Sequence, residues 1–456
     1  MKARTGGGGA ALPLFSRVAV LAAICLLYYA WRAPDRELAR YLAEMEVRGK
    51  PTGMSDTALP PLPDVKNAAP LYVEAGRIAT VEPVPDYGRV DWGSPARMDE
   101  LRAGVARDRH ALDLLHLAAE REGCRFEVSG GDGKEASAES PVWAWKLAGF
   151  VVDAAVVAAD AGDGATAAER LRLGYVLSRH LYRCGVDSML SEADLIEGMV
   201  FRGSARVLAL GPLPPASARA LGAELLGPQP PDPLPRALEQ AASTLVAACA
   251  EARAHPLRWP DERDDTVWES LPDWFPLGPQ ARRLGVAAYL LSPRRARDEL
   301  DALRDYARAA TWRGLPYRET RRQWGVLRGR WRVRAPLLPV ARLAKEAQET
   351  ARSRECVIAR RGLLQAALAL HEYRAQHGIL PESLAEVHIE GLPIPDDVFS
   401  GKPFVYRRQG SRYTLYSIGP DGEDDGGALG SRSGDIVWPS PPPPVPAELL
   451  LPPPDE

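Results

Sequence analysis

Residues 142–159 read VWAWKLAGFVVDAAVVAA, a stretch that is apolar around the whole circumference of a helix. A segment of this length could cross a membrane, but Lys146 and Asp153 within it argue against a lipid environment. A helix that is buried on all sides in an α-helical bundle has the same appearance. The turn at residues 162–164 (Gly-Asp-Gly) leads into a second helix over residues 166–183. We therefore predict a helical-bundle or helical-hairpin body.

Further helices are predicted on both sides of this hairpin. Apolar residues recur at helical spacing, and proline clusters separate the segments over 67–78, 97–122, 191–210, 216–226, 235–254, 279–291 and 294–313. We predict an α-helical domain over residues 67–338. The hairpin resembles a tetratricopeptide-type pair, but no second copy follows at a fixed period, so a repeat architecture is the less favoured alternative.

The N-terminal region contains an apolar run that resembles a signal sequence or a membrane anchor. Basic residues precede it, and residues 15–31 reach the length that a spanning helix needs. A cleavable signal requires small residues just before the cut, whereas this run ends in YYAWR at residues 28–32. Aromatic residues followed by arginine are typical of an interfacial belt. We therefore predict a retained transmembrane anchor at 15–31 after a short tail, residues 1–14.

Charge and cysteine content limit the classes of function. The 456 residues carry a formal net charge of -3 at pH 7, so no overall field attracts nucleic acid. No Cys-x-x-Cys pair occurs, so no zinc knuckle or thioredoxin-like site is indicated. Two disulfides among Cys124, Cys184, Cys249 and Cys356 are possible in an oxidising compartment, but buried thiols are favoured. The motifs of metalloproteases, serine hydrolases, phosphate-binding loops and dinucleotide-binding folds do not occur.

A loop over residues 255–275 is a candidate for catalysis because it mixes tryptophans with acids. Four of the acids are Asp261, Glu262, Asp264 and Asp265. Glycoside hydrolases use paired carboxylates, and stacking rings hold sugars, but such chemistry requires rigid elements at a fixed separation. We favour the alternative that the tryptophans fill gaps between helices while the acids face water.

A basic segment between residues 318 and 334 is a candidate for membrane contact. Its arginines alternate with other residues from Arg328 onward, which predicts one basic face of an extended segment. Such a face could bind the anionic headgroups of a nearby membrane. The favoured alternative is a solvated face with salt bridges.

The C-terminal region changes from helical to alternating periodicity. A long helix is predicted over residues 339–377, where apolar residues form one stripe, and Gly378 ends it. Strands follow at 404–408, 413–418 and 435–438. We predict a small helix-plus-antiparallel-sheet domain over residues 339–438. The fold class is thus α+β, mainly α. The proline-rich tail, residues 439–456, is predicted to be disordered.

Three segments of this region are similar in sequence to a known protein family. They are ALALHEYRAQHGILPESLAE, DDVFSGKPFVYRRQGSRYTLYSIGPDGEDDGG and GDIVW, which lie between residues 362 and 438. Together they resemble the globular domain of the major pseudopilin of bacterial type II secretion. The correspondence lies in the helix end, the Phe-Ser-Gly-Lys-Pro turn, the Leu-Tyr-Ser-x-Gly-x-Asp-Gly strand and the closing Asp-Ile. The complete chain is also similar to membrane-anchored bacterial proteins that pair a helical body with such an ending.

The chain departs from the pseudopilin pattern in three ways. The family's prepilin cleavage motif is absent around Phe15. A pilin's membrane helix runs directly into its globular domain, whereas here the helical body intervenes, so the chain cannot pack into a pseudopilus in the usual way. Val398 stands where the family usually has proline.

The resemblance implies a calcium site, because the acidic loop of pseudopilins binds calcium. The residues independently permit one, since carboxylates lie among glycines at Asp421, Asp424, Asp425 and Asp435, with Glu423 beside them. The loop begins like an EF-hand, but its twelfth position is Arg432, so Asp435 would have to close the site. The alternative is a plain acidic loop. Such sites match millimolar extracellular calcium, so a calcium cofactor and an exported location support one another.

These inferences lead to one leading hypothesis and two alternatives. The leading hypothesis is a non-enzymatic, single-pass protein of the inner membrane with its bulk in the periplasm. Residues 32–66 form a juxtamembrane helix and linker, the helical body binds a protein partner, and calcium stabilises the C-terminal domain. The alternatives are an exported hydrolase that uses the 255–275 loop, and an accessory component of a secretion system. The charge rule alone does not fix the orientation, because the arginines after the anchor outnumber those before it.

Overall fold

The computed structural model describes residues 23, 25–50, 62–80, 95–126, 142–184, 188–227, 232, 234–254, 288–334, 340–427 and 434–438. This part of the chain is mainly helical with one small antiparallel sheet, which confirms the predicted mainly α, α+β class. The chain divides into two compact units. The first comprises residues 1–57, 238–311 and 326–344, and the second comprises residues 58–237, 312–325 and 345–456.

The described helices are α1 (Ala33–Val47), α2 (Ala69–Ile78), α3 (Pro95–Arg107), α4 (Arg109–Ala119), α5 (Val142–Asp160), α6 (Gly164–Tyr182), α7 (Ser188–Leu210), α8 (Pro215–Leu226), α9 (Leu234–Ala254), α10 (Pro293–Ala309), α11 (Tyr317–Arg334) and α12 (Val340–His377). The strands are β1 (Val405–Gln409), β2 (Arg412–Ser417) and β3 (Ile436–Trp438).

Helix α5 lies at the centre of the second unit, as its all-round apolar sequence requires. It packs against α6 and α7, and α2 and α3 cover it further. Two glycines allow α5, α6 and α7 to approach closely. A Cβ atom on Gly174 of α6 would lie 2.6 Å from a methyl carbon of Val200 in α7, and one on Gly203 of α7 would lie 2.6 Å from Val152 in α5. Asp163 caps α6 by accepting a hydrogen bond from a backbone N–H at 3.0 Å.

The predicted helix over residues 97–122 is divided into α3 and α4 at Asp108. The carboxylate of Asp108 accepts a hydrogen bond from the backbone N–H of Thr80 at 2.8 Å and a second from the Thr80 hydroxyl at 2.9 Å. Asp108 is buried, and these bonds satisfy its charge together with one from the Arg107 guanidinium at 3.1 Å.

The C-terminal sheet of the second unit has the order β1-β2-β3, with both pairs antiparallel. Gly410 supplies the left-handed backbone (φ +63°) that the β1–β2 turn requires. The sheet shares its core with the helices. A Cβ atom on Gly362 of α12 would lie 2.7 Å from the Phe404 ring, and Trp438 meets Phe201 of α7 edge-on with ring centroids 4.9 Å apart.

The basic segment predicted to be extended is helical, so that prediction is wrong. In α11 the buried positions are Tyr317, Thr320, Trp324, Leu327 and Trp331, and their spacing of three and four residues is that of a helix with one buried face. Arginines two positions apart therefore lie on different faces of α11 instead of forming one basic strip.

The first unit contains the end of the predicted anchor and the helices that follow it. Residues 25–31 are helical and lead into α1, which packs along α10. Arg295 of α10 is buried and bridges this pair, because it bonds to Glu299 on its own helix and to Asp35 of α1 at 3.2 Å.

The predicted anchor is only partly described. Residues 15–22 and residue 24 lie outside the described ranges, as do the tails 1–14 and 439–456. Within the described ranges, none of the helices combines the length and the apolar character that crossing a bilayer demands.

Candidate functional site

The acidic loop that follows β2 is held at its centre by Asp424. Its Oδ1 atom accepts hydrogen bonds from the hydroxyl of Tyr416 at 2.8 Å and from the backbone N–H of Gly426 at 2.9 Å. The hydrogen bond from Gly426, followed by that from Tyr416, lowers the pKa of Asp424. Asp424 is therefore an ionised carboxylate fixed beside the sheet.

Asp435 approaches the same loop from the start of β3. Its Oδ2 atom accepts a hydrogen bond from the backbone N–H of Gly427 at 2.7 Å. Its Oδ1 atom is buried and has no hydrogen-bond partner among the residues that the structure describes. Burial raises the pKa of Asp435, backbone hydrogen bonds from Gly427 and Asp425 oppose that effect, and the charges of Asp424 and Asp425 raise it further. The charges of Asp424 and Asp425 therefore act on Asp435.

Asp421 takes a different position from these three acids. Its Oδ1 atom accepts a hydrogen bond from the backbone N–H of Glu423 at 3.2 Å, so it closes its own turn. Arg321 of α11 fixes that turn by donating to the carbonyl of Pro420 at 3.2 Å. Within the described ranges, no three His, Cys, Asp or Glu side chains are arranged as metal ligands. Residues 428–433, which include Arg432, lie outside those ranges.

Asp397, which was not predicted from the sequence, holds the start of the acidic loop. Its buried carboxylate accepts hydrogen bonds from the Ser417 hydroxyl at 2.8 Å and from the backbone N–H of Phe399 at 3.1 Å. Its own backbone N–H bonds to the carbonyl of Lys402 at 2.8 Å. Asp397 therefore ties the Phe-Ser-Gly-Lys-Pro turn to the end of β2, where the acidic loop begins. The position of this aspartate could have indicated its role. An aspartate side chain commonly accepts a hydrogen bond from the backbone N–H two residues later in the chain, and here that residue begins the turn.

A buried ion pair joins α12 to the helices of the second unit. The Arg361 guanidinium contacts Glu197 of α7 through two bonds, at 2.5 Å and 2.8 Å, and the Ser178 hydroxyl of α6 donates to the same carboxylate at 2.6 Å. Glu197 is 0% exposed and Arg361 is 4% exposed. Both charges are paired and closed off from solvent, so this cluster fixes α12 in place and offers no site for a substrate.

A second buried polar pair joins α2 to α6. The Tyr72 hydroxyl lies 2.8 Å from Nδ1 of His180. Burial lowers the pKa of His180 to about 4 and raises that of Tyr72, so a neutral phenol and a neutral imidazole share this hydrogen bond. This pair is structural, because both side chains are buried.

The acids of the hydrolase alternative, residues 261–265, lie outside the described ranges. No disulfide joins the five cysteines, all of which lie within those ranges, and burial raises the pKa of the Cys356 thiol to about 11.

Comparison with protein-family models, with curated proteins and with solved structures finds no match to this chain.

Proposed function

We propose that this chain is a single-pass envelope protein of the inner membrane with a non-enzymatic binding or scaffold role. The helix at residues 25–31 carries the proposal. Leu26, Leu27, Tyr28 and Tyr29 are between 62% and 71% exposed, although they are consecutive and so point in all directions from the helix axis. A helix that is apolar on every side costs free energy in water and is stable in lipid.

The aromatic and basic residues at the end of this run support an interfacial position. Tyr28 and Trp31 stack with ring centroids 6.4 Å apart. The Arg36 guanidinium lies 3.5 Å from the centre of the Tyr29 ring. Tyrosine and tryptophan are enriched where a helix leaves the hydrocarbon region. Residues 15–31 would then span the membrane, and the body would lie in the periplasm. A reporter enzyme fused after Glu456 tests this proposal.

The C-terminal domain, in the same proposal, is a pseudopilin-like module stabilised by calcium. The support is the Oδ1 atom of Asp435, which is buried without a hydrogen-bond partner among the described residues and lies near the charges of Asp424 and Asp425. A divalent cation would supply the missing partner for this oxygen and offset the repulsion of the acids. Asp424, Asp425 and Asp435 would hold it after the loop rearranges, because these side chains are not arranged as metal ligands in the structure. Asp421 would also have to move.

Calcium is therefore expected to raise the melting temperature of the purified protein. At 10 mM calcium and a dissociation constant of about 0.1 to 1 mM, binding to the native state should add roughly 1.4 to 2.7 kcal/mol and raise the melting temperature by about 2 to 4 °C. Asp435→Asn should abolish this shift. Asp113→Asn, a change at an exposed acid of α4, should leave it intact. Equal shifts in Asp435→Asn and in the unchanged protein would show that calcium does not act at this loop.

A further inference from the structure

A cavity of about 500 Å³ lies in the first unit, at the point where the predicted anchor meets α10. Trp31 lines one side of it, and Arg294, Arg297 and Asp298 from the start of α10 line another, together with Arg334 from the end of α11. We call this cavity the Trp31 pocket. Its volume is in the range of small-molecule binding sites.

The Trp31 pocket carries a surplus of positive charge. Its one acidic lining residue, Asp298, is already engaged, because Arg334 Nε and the Tyr289 hydroxyl each donate to it at 3.0 Å. Arg294 lies farther from Asp298, at 3.8 Å, and its side chain is 70% exposed. Arg297 is exposed and forms no hydrogen bond or ion pair with any residue that the structure describes. At least one full positive charge is therefore left without a counterion.

Arg294 and Arg297 stand at a place on α10 that favours the binding of an anion. Both lie near the N-terminus of the helix, where the backbone dipole is already positive and no acidic residue stands in the first turn. The residue before the helix, Ser292, does not cap it, because its hydroxyl donates to the carbonyl of Tyr289 at 2.7 Å. Cations at this end of a helix repel the dipole, whereas an anion placed between them would be stabilised by both.

We infer that the Trp31 pocket binds the phosphate headgroup of an anionic phospholipid in the leaflet where the anchor ends. This inference rests on the proposed membrane anchoring. Arginine pairs with phosphate through two parallel bonds, and tryptophan sits at the level of the headgroups. Trp31 lines the pocket and is also the last residue of the apolar run, so the pocket and the acyl chains of a lipid would be adjacent. The headgroup would fix how the body stands on the membrane.

The test measures lipid binding by the full chain solubilised in a neutral detergent, for example by native mass spectrometry. Phosphatidylglycerol should bind in preference to phosphatidylcholine with the same acyl chains. Arg297→Gln should weaken phosphatidylglycerol binding about fivefold, since one arginine near an anionic surface contributes about that factor. Arg297 has no partner among the described residues, so this change should leave the melting temperature unchanged. Arg308→Gln, at the far end of the same helix and 71% exposed, should leave binding unchanged and is the matched control.

Glycerol phosphate in solution distinguishes a lipid from a free phosphate. If it binds as tightly as phosphatidylglycerol, the site takes a soluble anion and the inference is overturned. Equal binding of both lipids, or equal loss in both arginine variants, also overturns it. Failure of the anchoring proposal looks different, because the protein would then leave the membrane fraction in an alkaline wash whatever its lipid preference. Retention in the membrane without phosphatidylglycerol preference would contradict the pocket alone.

Discussion

Replacing Arg361 with alanine is expected to lower the free energy of unfolding by about 4 kcal/mol. The change leaves Glu197, which is 0% exposed, without the guanidinium that holds both of its carboxylate oxygens. The Ser178 hydroxyl alone then remains as a donor at 2.6 Å. A buried carboxylate that has lost its cation must take up a proton or draw water into the core, and both destabilise the native state.

Urea unfolding followed by circular dichroism measures this loss, and two further variants make it specific. Arg360→Ala removes the neighbouring arginine, whose partner Asp194 is 26% exposed, and should cost only about 1 kcal/mol. The double change Glu197→Gln with Arg361→Met removes both charges and should recover most of the loss. If Arg361→Ala were no more harmful than Arg360→Ala, the ion pair would not hold α12 in place.

Replacing Asp153 with asparagine is expected to stabilise the protein at pH 8 by up to about 4 kcal/mol. Asp153 lies in the central helix α5, is 1% exposed, and has no hydrogen-bond partner among the described residues for either carboxylate oxygen. Burial raises its pKa from 3.8 to about 7, an effect that the charge of Arg97 only partly offsets. The native protein therefore holds a proton on Asp153 at pH values where the unfolded chain has released it.

The sign of the pH dependence follows from this difference in bound protons. Between about pH 4 and pH 7 the native state binds more protons than the unfolded state, so the contribution of Asp153 to stability falls as the pH rises. Asp153→Asn removes that slope, and its advantage over the unchanged protein should grow up to pH 7 and then level off. His180 titrates in both proteins, so its contribution cancels in the difference.

Urea unfolding at several pH values between 4 and 8 measures this advantage. Asp160→Asn, at the end of the same helix, is the matched control and should show no such growth, because Asp160 lies at the surface in a salt bridge with Arg102. A stability difference between Asp153→Asn and the unchanged protein that does not vary with pH would contradict the account of Asp153.

Local periodicity was enough to predict most helices, and it failed where two patterns overlapped. Residues 142–159 were predicted to be a buried helix because no face of that helix is polar, and α5 is indeed the centre of its unit. In the basic segment 318–334, the arginines that alternate from Arg328 onward predicted an extended chain. The buried residues Trp324, Leu327 and Trp331 are three and four positions apart, which is the spacing of a helix with one buried face. Burying aromatic side chains contributes more free energy than the arrangement of exposed charges, so the segment is helical.

The long-range contacts could not be predicted from one sequence. Arg361 and Glu197 are 164 residues apart, and nothing local to either one indicates the other. The Trp31 pocket likewise depends on residues near positions 31, 297 and 334, which only the tertiary fold brings together. Within the acidic loop the sequence indicated all four aspartates equally. The structure separates Asp421 from the other three, because the charges that act on Asp435 are those of Asp424 and Asp425.

The most direct measurement of the proposed topology uses alkaline phosphatase, which is active only after export, fused after Glu456. If residues 15–31 remain in the lipid and carry the following chain across the inner membrane, the fusion should be active in intact cells. The same fusion without residues 15–31 should be inactive. An inactive full-length fusion that accumulates at the same level would place the body on the cytosolic side and contradict the proposed function.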